Sequence, residues 1–447
     1  MAAPLLLTAA AAVTAAPVAA APYATRPRVA AAPPAARPPG AHQSVSARSS
    51  QRASYLALAE RGAARAMSAF RDDSRGIWNG RRNVPLRWYD ERLRAGLAYP
   101  LATIWGAVPL FETLAAIAAA NPTAASRAAL RTFAEGPHPP PSPPSARSAS
   151  RRRHGTTPVY GGAESYWDAA VGGFAPYPGD RGPANTWFDD NSWWGIAFMD
   201  AYHVLKAPRL LADAQAAFSF VARRGWDAAG GGLWWNTAHT PNGKKSGEAL
   251  AAGSLLGALL ATALEEAAQT AVGAAARADA ATAAFDAQAV EKFLAWGDAN
   301  FATRGDLYSR TQDDSTPMPY VAGPEIEAKE LLCMLPTSRG AYCTQVAKLA
   351  DAAYARFAYR LNMGPQFDAI YLHWMLVYAQ QTGDSRWLPM ALTFAGDAQA
   401  NSVDAASGLY LKAWDGSDMS QHQAEPNMLR TDAATVELFA WLAADGA

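Results

Sequence analysis

The chain of 447 residues lacks the features that would mark it for a charged partner. Lys and Arg together number 39 and Asp and Glu also number 39, so no net field exists that would gather nucleic acid or an anionic membrane. Cysteine is nearly absent. Cys333 and Cys343 lie either side of a turn through Leu335-Pro336-Thr337-Ser338-Arg339-Gly340. One disulfide in an oxidising compartment and two buried thiols are both open readings of that pair. Histidine is also scarce: the seven residues at 42, 138, 154, 203, 239, 373 and 422 show no metal-ligand spacing with Cys, Asp or Glu. No metal and no cofactor is therefore expected. The run Gly230-Gly231-Gly232 has neither the following Lys-Ser/Thr nor the preceding strand of a phosphate cradle, which excludes a nucleotide loop. Beyond the N-terminus no stretch reads as a transmembrane span.

Two segments stand apart from the rest. Met1 to Ala21 carries an apolar run around Leu5-Leu6-Leu7 and ends in the small residues Ala19-Ala20-Ala21, as a signal peptide does. No Lys or Arg precedes that run and no acidic residue occurs before Glu60, so an organellar targeting segment is the alternative to secretion. Residues 1–50 are read as this segment with a disordered linker, and 51–447 as one large domain. Within it, about 135–158 is a low-complexity insertion, Pro-rich at Pro139 to Pro144 and basic at Arg151-Arg152-Arg153.

What is present in quantity is aromatic side chains and helical periodicity. Fifteen Trp, concentrated in short stretches, suit the apolar faces of sugar rings. Residues 208–223 carry a one-sided apolar stripe opposed by Arg209, Asp213 and Arg223, whereas 190–206 is apolar nearly all round. The same alternation recurs between 341–361 and 367–382. Twelve helices follow, at 52–71, 98–120, 124–134, 190–206, 208–223, 246–270, 285–302, 322–334, 341–361, 367–382, 385–400 and 431–443. An all-α fold is expected, six helical hairpins closed as an (α/α)6 barrel with one-sided outer and enclosed inner helices. Every inner helix would then open its N-terminus at one mouth, where free N–H groups and positive dipole ends gather.

At that mouth the run Trp187-Phe188-Asp189-Asp190-Asn191-Ser192-Trp193-Trp194-Gly195 resembles glycoside hydrolase family 76, the endo-acting alpha-1,6-mannanases. Further blocks in the same order are Gly225-Trp226-Asp227, Gly230 to Asn236 with Trp234-Trp235-Asn236, Lys244 to Ala252, and Leu429-Arg430-Thr431-Asp432-Ala433-Ala434. The likeness runs over roughly residues 55 to 443. It implies an (α/α)6 fold and retaining hydrolysis of alpha-mannosidic bonds, with Asp189 as nucleophile and Asp190 as acid/base. Retention needs carboxyl groups about 5 to 5.5 Å apart, which neighbours at a helix start can reach, and two carboxyls so close raise the pKa of one. Ordinary N-capping explains one Asp, not two.

The further candidates for substrate binding are Trp187, Asn191, Trp234, Trp235, Asn236, Lys244, Glu248 and Tyr320. A Trp in a Gly-rich loop packs under the loop as readily as it stacks on a sugar, and Lys244 beside Lys245 also reads as a solvated loop. Tyr320-Val321-Ala322-Gly323-Pro324-Glu325 and Gln366-Phe367-Asp368-Ala369 depart from the family's pattern, which leaves the exact substrate open. The partner expected is a polysaccharide or oligosaccharide of alpha-mannan type, bound by a monomer. Transfer of the glycosyl group to a mannan or GPI-glycan acceptor, and a catalytically silent glycan-binding barrel, are the alternatives. His203 and His373, on apolar helices, read as packed core residues.

Overall fold

Every stretch with helical apolar spacing forms a helix among the residues that the computed structural model describes, which are 45–72, 77–78, 101–136, 162–179, 182–183, 185–239, 243–303, 306–336, 338, 342–422 and 427–445. The expected targeting segment up to residue 44, and all but the first two residues of the expected insertion, lie outside them. The α-helices are α1 Val45–Phe70, α2 Ile104–Ala120, α3 Ala124–Glu135, α4 Phe188–Leu205, α5 Pro208–Phe220 and α6 Gly247–Thr270. They continue as α7 Ala274–Asn300, α8 Pro319–Met334, α9 Cys343–Phe357, α10 Pro365–Thr382, α11 Trp387–Asn401 and α12 Leu429–Ala444. Among the described residues strand is limited to two antiparallel pairs, β1 Arg71–Asp72 with β2 Ile77–Trp78, and β3 Trp167–Asp168 with β4 Gly173–Phe174.

The even-numbered helices form a closed inner ring. Each packs on the next from α2 through α12, and α12 packs back on α2. The odd-numbered helices lie outside, each against the inner helix that follows or precedes it. Burial follows the sequence pattern: every residue of α8 from Pro319 to Leu332 is buried, whereas α3 buries only Leu130, Phe133 and Ala134. Helix α6 has the length and hydropathy of a membrane span, yet 94% of its apolar window is packed inside the barrel, as a core helix should be. Close approach there needs small residues: a Cβ on Gly257 would meet Phe218 of α5 and Val290 of α7 at 2.5 Å.

Three helix starts differ most from the periodicity. Helix α1 begins at Val45, ahead of the expected domain start. Helix α2 begins at Ile104, because the Thr103 hydroxyl accepts from the Gly106 N–H at 3.0 Å and so fixes the start. Helix α7 begins at Ala274, where an Ala-rich stretch has high helix propensity but no apolar stripe to reveal it. Cys333 and Cys343 are joined as a disulfide between α8 and α9.

Inner-to-outer connections are short, such as 121–123 and 206–207, so consecutive helices run antiparallel and the inner N-termini share one end. The long outer-to-inner loops meet there. Their backbones are stitched by isolated antiparallel bridges, Trp187 with Asn236, Trp234 with Lys245, and Ser246 with Thr311.

Candidate active site

The acidic pair opens α4. Trp187 precedes it in extended conformation, and the Phe188 N–H donates to the Trp235 carbonyl at 3.0 Å, which sets the first turn against the Gly-rich loop. That loop turns where Gly231 and Gly232 take φ of 69° and 79°, flat against Trp296; a Cβ on Gly232 would stand 2.6 Å from that ring. The turn delivers the Trp235 indole N–H to Asp189 Oδ2 at 2.8 Å. Asp189 Oδ1 is buried and has no partner side chain.

Three acids converge, and each is pushed above the usual carboxylate range chiefly by burial. Asp189 is raised further by the charges of Asp190 and Glu248 and drawn back by the Trp235 and Asp190 donors. Asp190 is pushed up to about 7, held back by Arg430 and raised by Glu248. Glu248, on the first turn of α6, receives the Arg310 Nε–H at 2.8 Å and the Tyr320 hydroxyl. The pair titrates as one unit and keeps a proton near neutrality, which is the condition for one carboxyl to give a proton while the other is charged.

Beneath the acids lies an aromatic floor. Tyr320 of α8 meets Trp105 of α2 at 5.9 Å, Phe367 of α10 at 5.0 Å and Trp193 of α4 at 6.0 Å between ring centroids. Helices α2 and α8 face each other across the ring, so this contact closes the barrel under the mouth. Trp187 packs edge-on against Trp235 at 5.2 Å, and the Arg310 guanidinium lies 6.0 Å from the Trp235 ring.

Of the residues expected from the sequence, Asp189, Asp190, Trp187, Trp235, Glu248 and Tyr320 come together at the mouth. Four do something else. Asn191 is fully buried and spends its amide on Phe174 N–H, Phe174 carbonyl and Trp187 carbonyl at 2.7, 2.9 and 2.8 Å, pinning β4 to α4. Trp234 has Lys245 Nζ 3.0 Å from its ring centroid and His239 stacked at 4.3 Å; the two cannot share one face, so both faces are covered. Asn236 is fully buried behind the bridge to Trp187. Lys244 pairs with the exposed Asp313 at 2.6 Å on the rim. Sequence reasoning missed Arg310, Arg430, Trp105 and Phe367 as parts of the site. Arg430 and Phe367 lay in runs already singled out at inner-helix starts, which was the available signal.

An all-helical double barrel with paired carboxylates at the inner N-termini is an arrangement suited to glycoside hydrolysis. Residues 167–303 match the family model described as glycosyl hydrolase family 76. That match covers the acidic pair and the Gly-rich loop, and the fold is shared with solved family 76 enzymes along most of the chain. Among solved structures, a family 76 glycoside hydrolase from a bovine Bacteroides thetaiotaomicron strain superposes with a TM-score of 0.65 at 16% identity, over 87% of this chain and 77% of its own. An inactive variant of the alpha-1,6-mannanase of Salegentibacter, with two consecutive aspartates replaced by asparagine and alpha-1,6-mannotriose bound, has a TM-score of 0.57 at 14% identity over 87% and 99%. Dfg5 of Chaetomium thermophilum in complex with glucosamine has a TM-score of 0.57 at 16% identity over 88% and 91%. No curated protein matches the chain.

Proposed function

We propose that this glycoside hydrolase cleaves alpha-1,6-linked mannan with retention of configuration. The observation that carries the reading is the Asp189-Asp190 pair at the mouth, each carboxyl with its own stabilising neighbour, Trp235 for Asp189 and Arg430 for Asp190. The Salegentibacter variant supports it, since a mannanase inactivated at two consecutive aspartates still holds alpha-1,6-mannotriose.

In the first step an Asp189 oxygen attacks the anomeric carbon, the glycosidic C–O bond breaks, and Asp190 gives its proton to the departing oxygen. In the second step Asp190 takes a proton from water, whose oxygen attacks the same carbon and releases Asp189. The Trp235 N–H favours the Asp189 anion before attack. Glu248, tied to Arg310 and Tyr320, faces the same space and suits a sugar hydroxyl. Transfer to a sugar acceptor in place of water is the second reading, favoured by the glucosamine held in the Chaetomium Dfg5 barrel. Export is supported by the Cys333–Cys343 disulfide.

The test is product release from linear alpha-1,6-mannan by the natural chain beside Asp189→Asn and Asp190→Asn with matched circular dichroism, the anomer of the first product being read by NMR. Alpha product from the natural chain alone supports the reading. Beta product rejects retention, products longer than the substrate favour transfer, and polymer that binds without cleavage rejects hydrolysis of this substrate.

A further inference from the structure

A second set of chemistry-bearing side chains lies on the barrel axis, away from the acids at the mouth. Glu112 of α2, His373 of α10 and Glu437 of α12 each sit near the middle of an inner helix. At 1.5 Å rise per residue they are on the order of 10 Å below the helix starts. One ligand atom from each lies within 4.8 Å of the other two. All three side chains are shut away from solvent, with relative exposures of 0%, 0% and 1%.

The set is unusual because its imidazole is unpartnered: neither nitrogen of His373 has a hydrogen-bond partner among the described residues, while the Glu112 and Glu437 carboxyls lie against each other and Trp441 lies against Glu437. Native proteins satisfy nearly all buried polar atoms, and a buried carboxylate pair without a cation is costlier still. The His373 ring is held in place by Trp441, stacked at 3.7 Å and 9°, and by Trp374 at 4.4 Å. Burial pushes Glu112 up and His373 down, and Asp200 of α4 adds further negative charge beside Glu437. A proton shared between the two carboxyls would leave both imidazole nitrogens idle. A cation takes a nitrogen and two oxygens at once.

We infer that the barrel axis binds a divalent transition-metal cation, zinc in the first instance, through Glu112, His373 and Glu437. Imidazole nitrogen beside carboxylate oxygen suits zinc, cobalt or manganese, whereas calcium and magnesium prefer oxygen alone. Tetrahedral nitrogen and oxygen ligands of one zinc ion stand about 3.3 to 3.6 Å apart, so side-chain atoms within 4.8 Å of one another need to draw together by no more than about 1.5 Å. Such an ion would tie three inner helices together and balance their charge. Linear spacing of histidines argues against a metal only where ligands are close in sequence; here three helices bring them together.

The decisive measurement is elemental analysis of the purified full chain, followed by stripping with chelator and titration with zinc chloride by calorimetry. The expectation is about one zinc per chain, a rise of several degrees in unfolding midpoint at saturating zinc, and about tenfold weaker zinc binding in His373→Gln and Glu437→Gln. Cobalt(II) loaded into the natural chain should give hyperfine-shifted imidazole protons in NMR, which decides the matter even where a variant fails to fold. No uptake of zinc or cobalt by the stripped chain, or uptake equal to the natural chain's in both variants, overturns the site.

Discussion

The barrel carries acids at two levels, and the levels are built differently. At the mouth, Asp190 has Arg430, Glu248 has Arg310 and Tyr320, and Asp189 has the Trp235 N–H. In the middle, Glu112 and Glu437 face each other and His373, and no ion pair among the described residues involves them. Elsewhere in the wall a buried acid of inner helix α8 is met by a base: Glu325 pairs with Lys329 four positions on, at 3.1 Å. Acids each compensated by a donor or a base describe a place where a neutral sugar enters. Acids without a base, beside an imidazole without a partner, describe a place for a cation, since a buried polar group left unsatisfied costs about 1–3 kcal/mol.

The comparison breaks most sharply within the pair at the mouth. Asp190→Asn should lose roughly a hundredfold to ten-thousandfold in kcat/KM on mannan, but much less on an aryl mannoside whose leaving group needs no proton, and azide should restore turnover. Asp189→Asn should fail on both substrates with no azide effect. The reverse pattern would exchange the two roles while leaving the site intact.

A smaller effect tests the donor. Trp235→Phe keeps the ring against Trp187 and removes only the N–H on Asp189. A hydrogen bond to a charged group contributes about 1.5–3 kcal/mol, so kcat/KM should fall about tenfold to a hundredfold with the unfolding midpoint unchanged. Unchanged kinetics would reduce Trp235 to packing.

Arg430→Met changes the pH profile rather than the maximum. Arg430 draws Asp190 down to about 7, so without it the carboxyl holds its proton to higher pH. Loss of that proton sets the alkaline limb of kcat/KM, which should therefore move upward by roughly 1 unit. A limb that stays in place would separate Asp190 from the acid role.

Much of this was legible before the structure, for physical reasons that also set the limit. Inner helices are apolar all round because neighbours enclose them, so α4 and α10 declared themselves; the mouth followed from alternation, and Asp189, Asp190 and Glu248 from their place at inner-helix starts. Pairings that cross the barrel left no linear trace. Arg310 reaches Glu248 from a loop, Arg430 approaches Asp190 from a helix far along the chain, and His373 meets its glutamates only when the ring closes. Within the Gly-rich loop the residue types were legible but their directions were not. Neighbouring side chains of an extended segment point opposite ways, so Trp235 faces the acids while Trp234 and Asn236 turn under the loop.

Those two adjacent tryptophans give the finest test. Trp234→Leu removes the ring between Lys245 and His239 but leaves Lys245 paired with Asp227 at 2.6 Å. Losing the cation–π contact and part of the packed surface should lower unfolding stability by about 2 kcal/mol, read as a lower urea midpoint. The bridge between Trp234 and Lys245 is made by backbone and survives the substitution, so the loop still presents Trp235. KM and kcat on mannan should then shift by no more than about threefold. A tenfold rise in KM with stability intact would mean that a mannose ring displaces Lys245 or His239 from Trp234, and the loop would have to be redrawn as a binding subsite.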